Sequence, residues 1–260
     1  MHYDFSLPAF SARFIPVWRR NFLVWKKLAG SSILGNIADP MIALVAFGYG
    51  LGSLLPQVGG VPYIQFLAAG TVCMSTMNAA TFESLYSAFS RMHVQRTWDG
   101  IMNAPVALED VVLGELTWAA SKAFLSGLAI MIVVWILGLA GGPQSVLVLG
   151  VVVLIGLAFS AIGLVVNALA RAYDTFTYYF TLVVTPMAFL SGVFFPVQQL
   201  PGWLQIVAQL LPLSHAIAMA RPLLLGQWPA QPLLHVAVLL LYAAVFAYIA
   251  IVLTRKRLLT

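Results

Sequence analysis

The stretch SVLVLGVVVLIGLAFSAIGLVVNA, residues 145–168, holds no ionisable side chain. A helix crossing the hydrocarbon core of a bilayer needs about 20 mainly apolar residues, and this run is long enough by itself. Five more runs of similar character surround it, at 33–55, 63–87, 113–139, 176–195 and 233–254. The 260-residue chain is 62% hydrophobic and 8% charged, whereas a soluble domain carries about 25% charged residues. Thirteen basic and eight acidic side chains cannot cover a water-facing surface of that size. Soluble enzyme, secreted domain and disordered chain are excluded together. The runs predict an all-α integral membrane protein with six transmembrane helices.

A further apolar stretch, 197–227, is cut by Pro201, Pro212, Pro222 and Gly226. No piece of it reaches spanning length, so it reads as two short re-entrant helices at the membrane edge before the last span, their ends covered by other protein. Arg13, Arg19, Arg20, Lys26 and Lys27 precede the first run. Arg91 and Arg96 sit in the second loop, Arg171 in the fourth, and Arg255, Lys256 and Arg257 in the tail. With the N-terminus inside, eleven of the thirteen basic residues are cytoplasmic, Arg221 alone is outside and Lys122 lies within a span. That is the positive-inside pattern of a chain with both termini cytoplasmic. From Pro16 onward, Val17, Trp18, Phe22, Trp25 and Leu28 share one helical face, and Arg19, Arg20, Lys26 and Lys27 the other. This predicts an amphipathic helix in the membrane plane, aromatic side down. The chain divides into a cytoplasmic tail with an interfacial helix, 1–32, and a six-span domain, 33–260. The net charge of +5 is explained by this placement, and no nucleic-acid partner is expected.

No Gly-Lys pair occurs, hence no GxxxxGK[ST] phosphate loop, and there is no HExxH or GxSxG motif. His2, His93, His215 and His235 lack ligand spacing, and the single Cys73 excludes a disulfide framework within the chain. No catalytic residue, metal or bound cofactor is expected. Ionisable groups inside apolar helices cost about 2.5–3.5 kcal/mol each at the bilayer centre, so the few present carry information. Asp39, before Pro40, reads as the cap of a kinked helix; alone it is too little deep acid for an ion-coupled carrier. Glu83 has Arg91 eight residues on along the same face, and Glu115 and Lys122 are seven apart on one face of the third run. The second and third runs are antiparallel neighbours, so Glu83, Glu115 and Lys122 are expected to meet in an intramembrane ion cluster that clasps the helices. Between those runs lies RMHVQRTWDGIMNAPVALEDVVLGE, residues 91–115. A short helix around Trp98 to Met102, ended before Pro105 and mixing Arg96, Trp98, Asp99 and Ile101, suits docking into a groove on a soluble partner.

These residues resemble the membrane subunits of type-2 ABC exporters, and among them the nodulation-factor (lipooligosaccharide) export permeases, the NodJ-type branch. The likeness covers nearly the whole chain. It is carried by IPVWRRNFLVWKKLA (15–29), GNIADP (35–40), QRTWDGIMNAPV (95–106), TPMAFLSGVFFPVQQLP (185–201) and LPLSHAIAMARPLLLG (211–226), among other stretches. The proline-broken segment marks the broad family; the WRRN and TWDG stretches point to the branch. The resemblance implies a homodimer that binds two copies of a separate ABC ATPase, with ATP and Mg on that partner. It makes the loop around 93–105 a coupling helix, so that Arg96, Thr97, Trp98, Asp99, Ile101 and Met102 form the ATPase-coupling loop. The branch implies outward movement of a lipid-linked chitin oligosaccharide across the bacterial inner membrane; relatives in the broad family move drugs, polysaccharides and glycolipids.

The expected function is thus the permease subunit of an ATP-driven exporter for an amphipathic substrate. The alternative is a mechanotransmission-type subunit that pushes on a lipid or membrane partner without transporting it. Against that alternative, only the segment 196–232 lies outside. Thr71, Ser75, Met77, Asn78 and Phe82 of the second run are candidates for the translocation path. Phe195, Leu213, His215 and Arg221 are candidates for an outer gate, with the apolar pair expected to matter more than the polar one.

Overall fold

The structure, a computed structural model, describes residues 6, 8, 11–55 and 57–258, without the side chains of 31, 33, 36, 37 and 39. The reading of Asp39 as a cap therefore lies outside the described residues. Helix α1 (Phe14–Lys26) is followed by α2 (Ala29–Leu54), which runs on through Pro40. A hairpin of β1 (Gln57–Val58) and β2 (Val61–Pro62) comes next. Its turn residues Gly59 and Gly60 have φ of 63° and 83°, the left-handed pair that a two-residue turn of this kind requires. Helix α3 (Tyr63–Phe82) continues into two π turns, Glu83–Ser87 and Ser90–Val94, and then the short helix α4 (Thr97–Met102). The long helices α5 (Leu108–Ile136) and α6 (Val148–Leu169) follow, α6 extended at its start by a 3-10 turn from Pro143.

Three helices by themselves are long and apolar enough to cross a membrane: Leu108–Ile136, Pro143–Leu169 and Pro232–Leu258. The last is α11. The run at 176–195 is less regular than its hydropathy suggests. It forms α7 (Asp174–Tyr179), a π turn and α8 (Thr185–Leu190), and ends at 190 because Gly192, at φ 82°, turns the chain away. The proline-broken segment forms α9 (Gly202–Leu210) and α10 (Pro212–Leu224), bent by 88° at Leu211. Pro212 has no amide to donate and pushes Leu211 to extended backbone. This is the pair of short helices that the spacing of prolines predicts.

Helix α6 sits centrally, packed against α3, α5, α10 and α11. Its approach to the first π turn demands glycine: a Cβ on Gly163 would stand 1.9 Å from Ser84 Oγ. One turn on, Asn167 Nδ2 donates to the Ser84 and Leu85 carbonyls at 2.9 and 3.3 Å. These bonds satisfy acceptors in the stretch where the π turn alters the helix ladder. Helix α1 lies on α5, where Gly114 opens a slot for Val17, and Trp18 Nε1 donates to Ser121 Oγ at 3.0 Å. The aromatic face expected to point down into lipid is thus turned onto α5, with Phe22 and Trp25 meeting the Trp118 ring edge-on. Ile15, Leu23, Val24 and Leu28 are the apolar side chains of this region left exposed.

The two ends of the bundle are distinct. At one, Arg13 donates to the Pro105 carbonyl at 2.8 Å, Arg255 meets Ser6 and Glu109, and Arg257 donates to the Asn167 and Ala168 carbonyls. At the other, Tyr63 Oη donates to the Phe194 carbonyl at 3.2 Å and Gly141 N to the Leu224 carbonyl at 2.7 Å.

Candidate functional site

The π-turned end of α3 carries Glu83, Ser87 and Arg91, and α5 brings Glu115, Trp118 and Lys122 to face them. Arg91 is the hub. Its Nε donates to both Glu115 oxygens at 2.9 and 3.1 Å, and its Nη2 reaches Glu115 Oε2 at 2.5 Å and Glu83 Oε1 at 2.9 Å. Lys122 Nζ donates to Glu83 Oε2 at 2.7 Å. Two indoles complete the shell: Trp118 Nε1 donates to Glu83 Oε1 at 2.8 Å and Trp98 Nε1 to Glu115 Oε1 at 3.2 Å. Ser87 Oγ adds a bond to Glu83 Oε2 at 2.9 Å. Glu83 and Glu115 are only 2% and 1% exposed, so each carboxylate needs these donors to stay charged out of water.

This differs from the cluster expected of Glu83, Glu115 and Lys122 alone. Lys122 pairs with Glu83, while Glu115 is held by Arg91, whose planar fork serves two carboxylates at once. Trp118 also belongs to it; its place between Glu115 and Lys122 on one helical face was the available signal. Lys122→Met is expected to lower stability, and Glu83→Gln to recover part of that loss in the double variant. Thermal unfolding of the four proteins should give a coupling of about 0.5–3 kcal/mol; strictly additive losses would mean that the two groups do not interact.

The cluster is joined to α4. Arg96 begins that helix in the left-handed region, φ 48° and ψ 33°, a backbone state uncommon outside glycine that separates α4 from the π turn before it. Trp98, which the resemblance places in the coupling loop, is 2% exposed and points inward to Glu115. Ile101 and Met102 are half-buried against the core at this end of the bundle. The open face of α4 therefore consists of Arg96, Asp99, Gly100 and the following Asn103, with Thr97 at its margin. Arg20 of α1 donates to Asn21 Oδ1 at 3.0 Å and, more distantly, to Thr97 Oγ1 at 3.4 Å. Burial, followed by the nearby charge of Arg91, lowers the pKa of Arg20. Trp98 thus connects α4 to the carboxylate that Arg91 ties to α3.

The other candidate residues fall into three places. Ser75, Asn78 and Phe82 line one groove with Pro40, Met74 and Phe180, and Ser75 Oγ lies 3.1 Å from Ser126 Oγ. Thr71 is buried on α3, its hydroxyl bonded back to the Leu67 carbonyl at 3.0 Å, and Met77 is turned into the core. Residue 77 is two positions from Ser75, about 200° around the helix, so the groove does not include it. At the opposite end of the bundle, Leu213 is fully buried and Phe195 half-buried. His215 Nε2 contacts the Gln209 carbonyl at 2.8 Å, and its Nδ1 lies 2.8 Å from His235 Nδ1. Arg221 lies 3.6 Å over the Phe66 ring and donates to the Gly192 and Phe66 carbonyls at 2.6 and 3.3 Å. It ties α10 to α3 and to the turn after α8, a larger packing role than the sequence suggested. Among the described residues, no group of three or more His, Cys, Asp or Glu is placed to hold a metal ion.

With this architecture in place, comparison with known proteins is specific. The family described as ABC-2 type transporter matches residues 13–225. The chain is 48% identical over 256 residues to Nodulation protein J of Rhizobium meliloti (strain 1021), covering 98% of each. It is 49% identical over 253 residues to Nodulation protein J of Rhizobium leguminosarum bv. viciae, covering 97% of this chain and 98% of the relative. A more distant relative is Inner membrane transport permease YadH of Escherichia coli (strain K12), 23% identical over 210 residues, 81% of this chain and 82% of the relative. The family is a membrane transport component rather than a catalytic subunit, and it implies an ABC ATPase as partner. This all-α membrane chain belongs to the ABC-2 type transporter family.

Proposed function

We propose that this permease is the membrane subunit of an ATP-driven exporter that carries an amphipathic molecule outward, a lipooligosaccharide, glycolipid or hydrophobic drug. It works as a homodimer of six-span chains in the bacterial inner membrane, with both termini cytoplasmic and two copies of a separate ABC ATPase docked on the open face of α4. The observation that carries this reading is the linkage from α4 through Trp98 to Glu115, Arg91 and Glu83. A push on a small surface helix reaches two long helices through buried, charge-assisted bonds, which are stiff and strong. Identity of 48–49% over nearly the full length to proteins named Nodulation protein J supports the lipooligosaccharide class. The name of the Escherichia coli relative supports the inner membrane.

The ATPase assignment is tested by hydrolysis measurements. The purified chain is expected to hydrolyse no ATP, and an ABC ATPase encoded separately is expected to co-purify with it and hydrolyse ATP in the complex. Sustained hydrolysis by the chain alone, or failure of any ABC ATPase to form a complex with it, contradicts the proposal.

A further inference from the structure

Among the described residues, Arg221 has no counter-ion. Its guanidinium is covered by the Phe66 ring and bonded to two backbone carbonyls, and among the described residues no carboxylate meets it. The described residues that line the cavity beside it all come from 58–66 and 191–227. The sequence has no Asp or Glu between 40 and 82 or after 174. A second copy related by an axis along the membrane normal presents the same acid-free end, so a dimer does not supply the missing charge either. A cation drawn out of water and left unpaired is costly, and two carbonyl dipoles and a ring face offset only part of that.

The same cavity, about 370 Å³, is lined by Ser191, Ser214, Gln198 and Gln227 as well as Arg221. Its size falls in the range of small-ligand pockets, roughly 300–1,000 Å³. Ser191 is 1% exposed, and neither its hydroxyl nor that of Ser214 has a hydrogen-bond partner. Buried hydroxyls are rarely left without partners. Two such hydroxyls, on residues that line one cavity beside a cation met by no carboxylate among the described residues, point to a ligand that accepts hydrogen bonds and is negatively charged.

We propose that this cavity, between the β1–β2 hairpin, the turn after α8 and helix α10, binds an oxyanion of the phosphate class. Arg221 supplies the charge, and the Ser191 and Ser214 hydroxyls are the neutral donors. The Gln198 and Gln227 amides stand at its wall to discriminate among oxygen-rich groups. The phosphate arrives as a lipid headgroup or as a free ion. The site depends only on these residues and holds whether or not cargo passes through the permease.

The test is an unfolding titration of the full-length chain purified in a neutral maltoside detergent. Dioleoylphosphatidylglycerol is added in one arm and inorganic phosphate, against chloride at equal ionic strength, in another. Dioleoylglycerol, with the same acyl chains and no phosphate, is the control. The phosphatidylglycerol arm is expected to raise the unfolding midpoint beyond the control. In the Ser191→Ala, Ser214→Ala double variant the half-effect concentration rises about a hundredfold or more, since two bonds to a charged group are lost. The ligand-free midpoint of that variant stays level or rises, because the hydroxyls it removes bond to nothing. Arg221→Gln abolishes the phosphate-dependent increment. A response to the lipid alone assigns a headgroup site; a response to inorganic phosphate as well assigns one open to solution; both support the proposal. No response to either phosphate, or a response unaltered in the serine double variant, overturns it, even if Arg221→Gln does not fold.

Discussion

Arg91→Met is expected to destabilise the chain by about 3–5 kcal/mol, the cost of removing one member of a buried ion network and leaving the others charged. Glu115 loses a two-oxygen clamp and Glu83 loses one of its two cations. The Trp98 and Trp118 indoles remain but carry no charge. Arg91→Lys is expected to fall between wild type and Arg91→Met, because an ammonium point charge cannot serve both carboxylates in the geometry of a guanidinium fork. Adding Glu83→Gln and Glu115→Gln to Arg91→Met should recover much of the loss by removing the stranded charges. Unfolding midpoints in detergent and the yield of monodisperse protein check this series. Equal stability of wild type and Arg91→Met would show that the network does not hold α3 to α5.

Much of the fold was legible because a bilayer imposes one solvent on long segments. The three helices at 108–136, 143–169 and 232–258 follow directly from uninterrupted hydropathy, and the bend at Leu211 follows from proline chemistry. At the π turns and at Arg96, by contrast, the sequence carried no signal. The π turns at 83–87 and 90–94 and the left-handed Arg96 have no proline or glycine to mark them, and they decide which side chains face the cluster. Periodicity placed Glu83, Glu115 and Lys122 near one another but not which carboxylate takes which cation, since that depends on side-chain reach. Trp98 illustrates the same limit. An aromatic residue in a polar loop suggests an exposed anchor, yet a donor of suitable length beside a buried carboxylate is more stable turned inward. The His215–His235 pair and the cavity hydroxyls join residues far apart in sequence, which one-dimensional spacing does not reveal.

The second large effect concerns coupling. Asp99 is exposed on α4 and has no part in the ion cluster, so Asp99→Arg should leave the unfolding midpoint unchanged. It reverses the charge on the face of α4 proposed to dock the ATPase and is expected to reduce transport about tenfold or more, the worth of one charged contact, while ATP hydrolysis persists. Trp98→Ala, in contrast, should weaken the fold itself. The most direct measurement uses inside-out membrane vesicles containing this chain and its ABC ATPase, followed by accumulation of a fluorescent lipid-linked oligosaccharide in the lumen. The account predicts ATP-dependent accumulation with the wild-type chain and its loss in Asp99→Arg. Steady ATP hydrolysis by the wild-type complex without accumulation of the oligosaccharide, of a glycolipid or of a hydrophobic dye would contradict it.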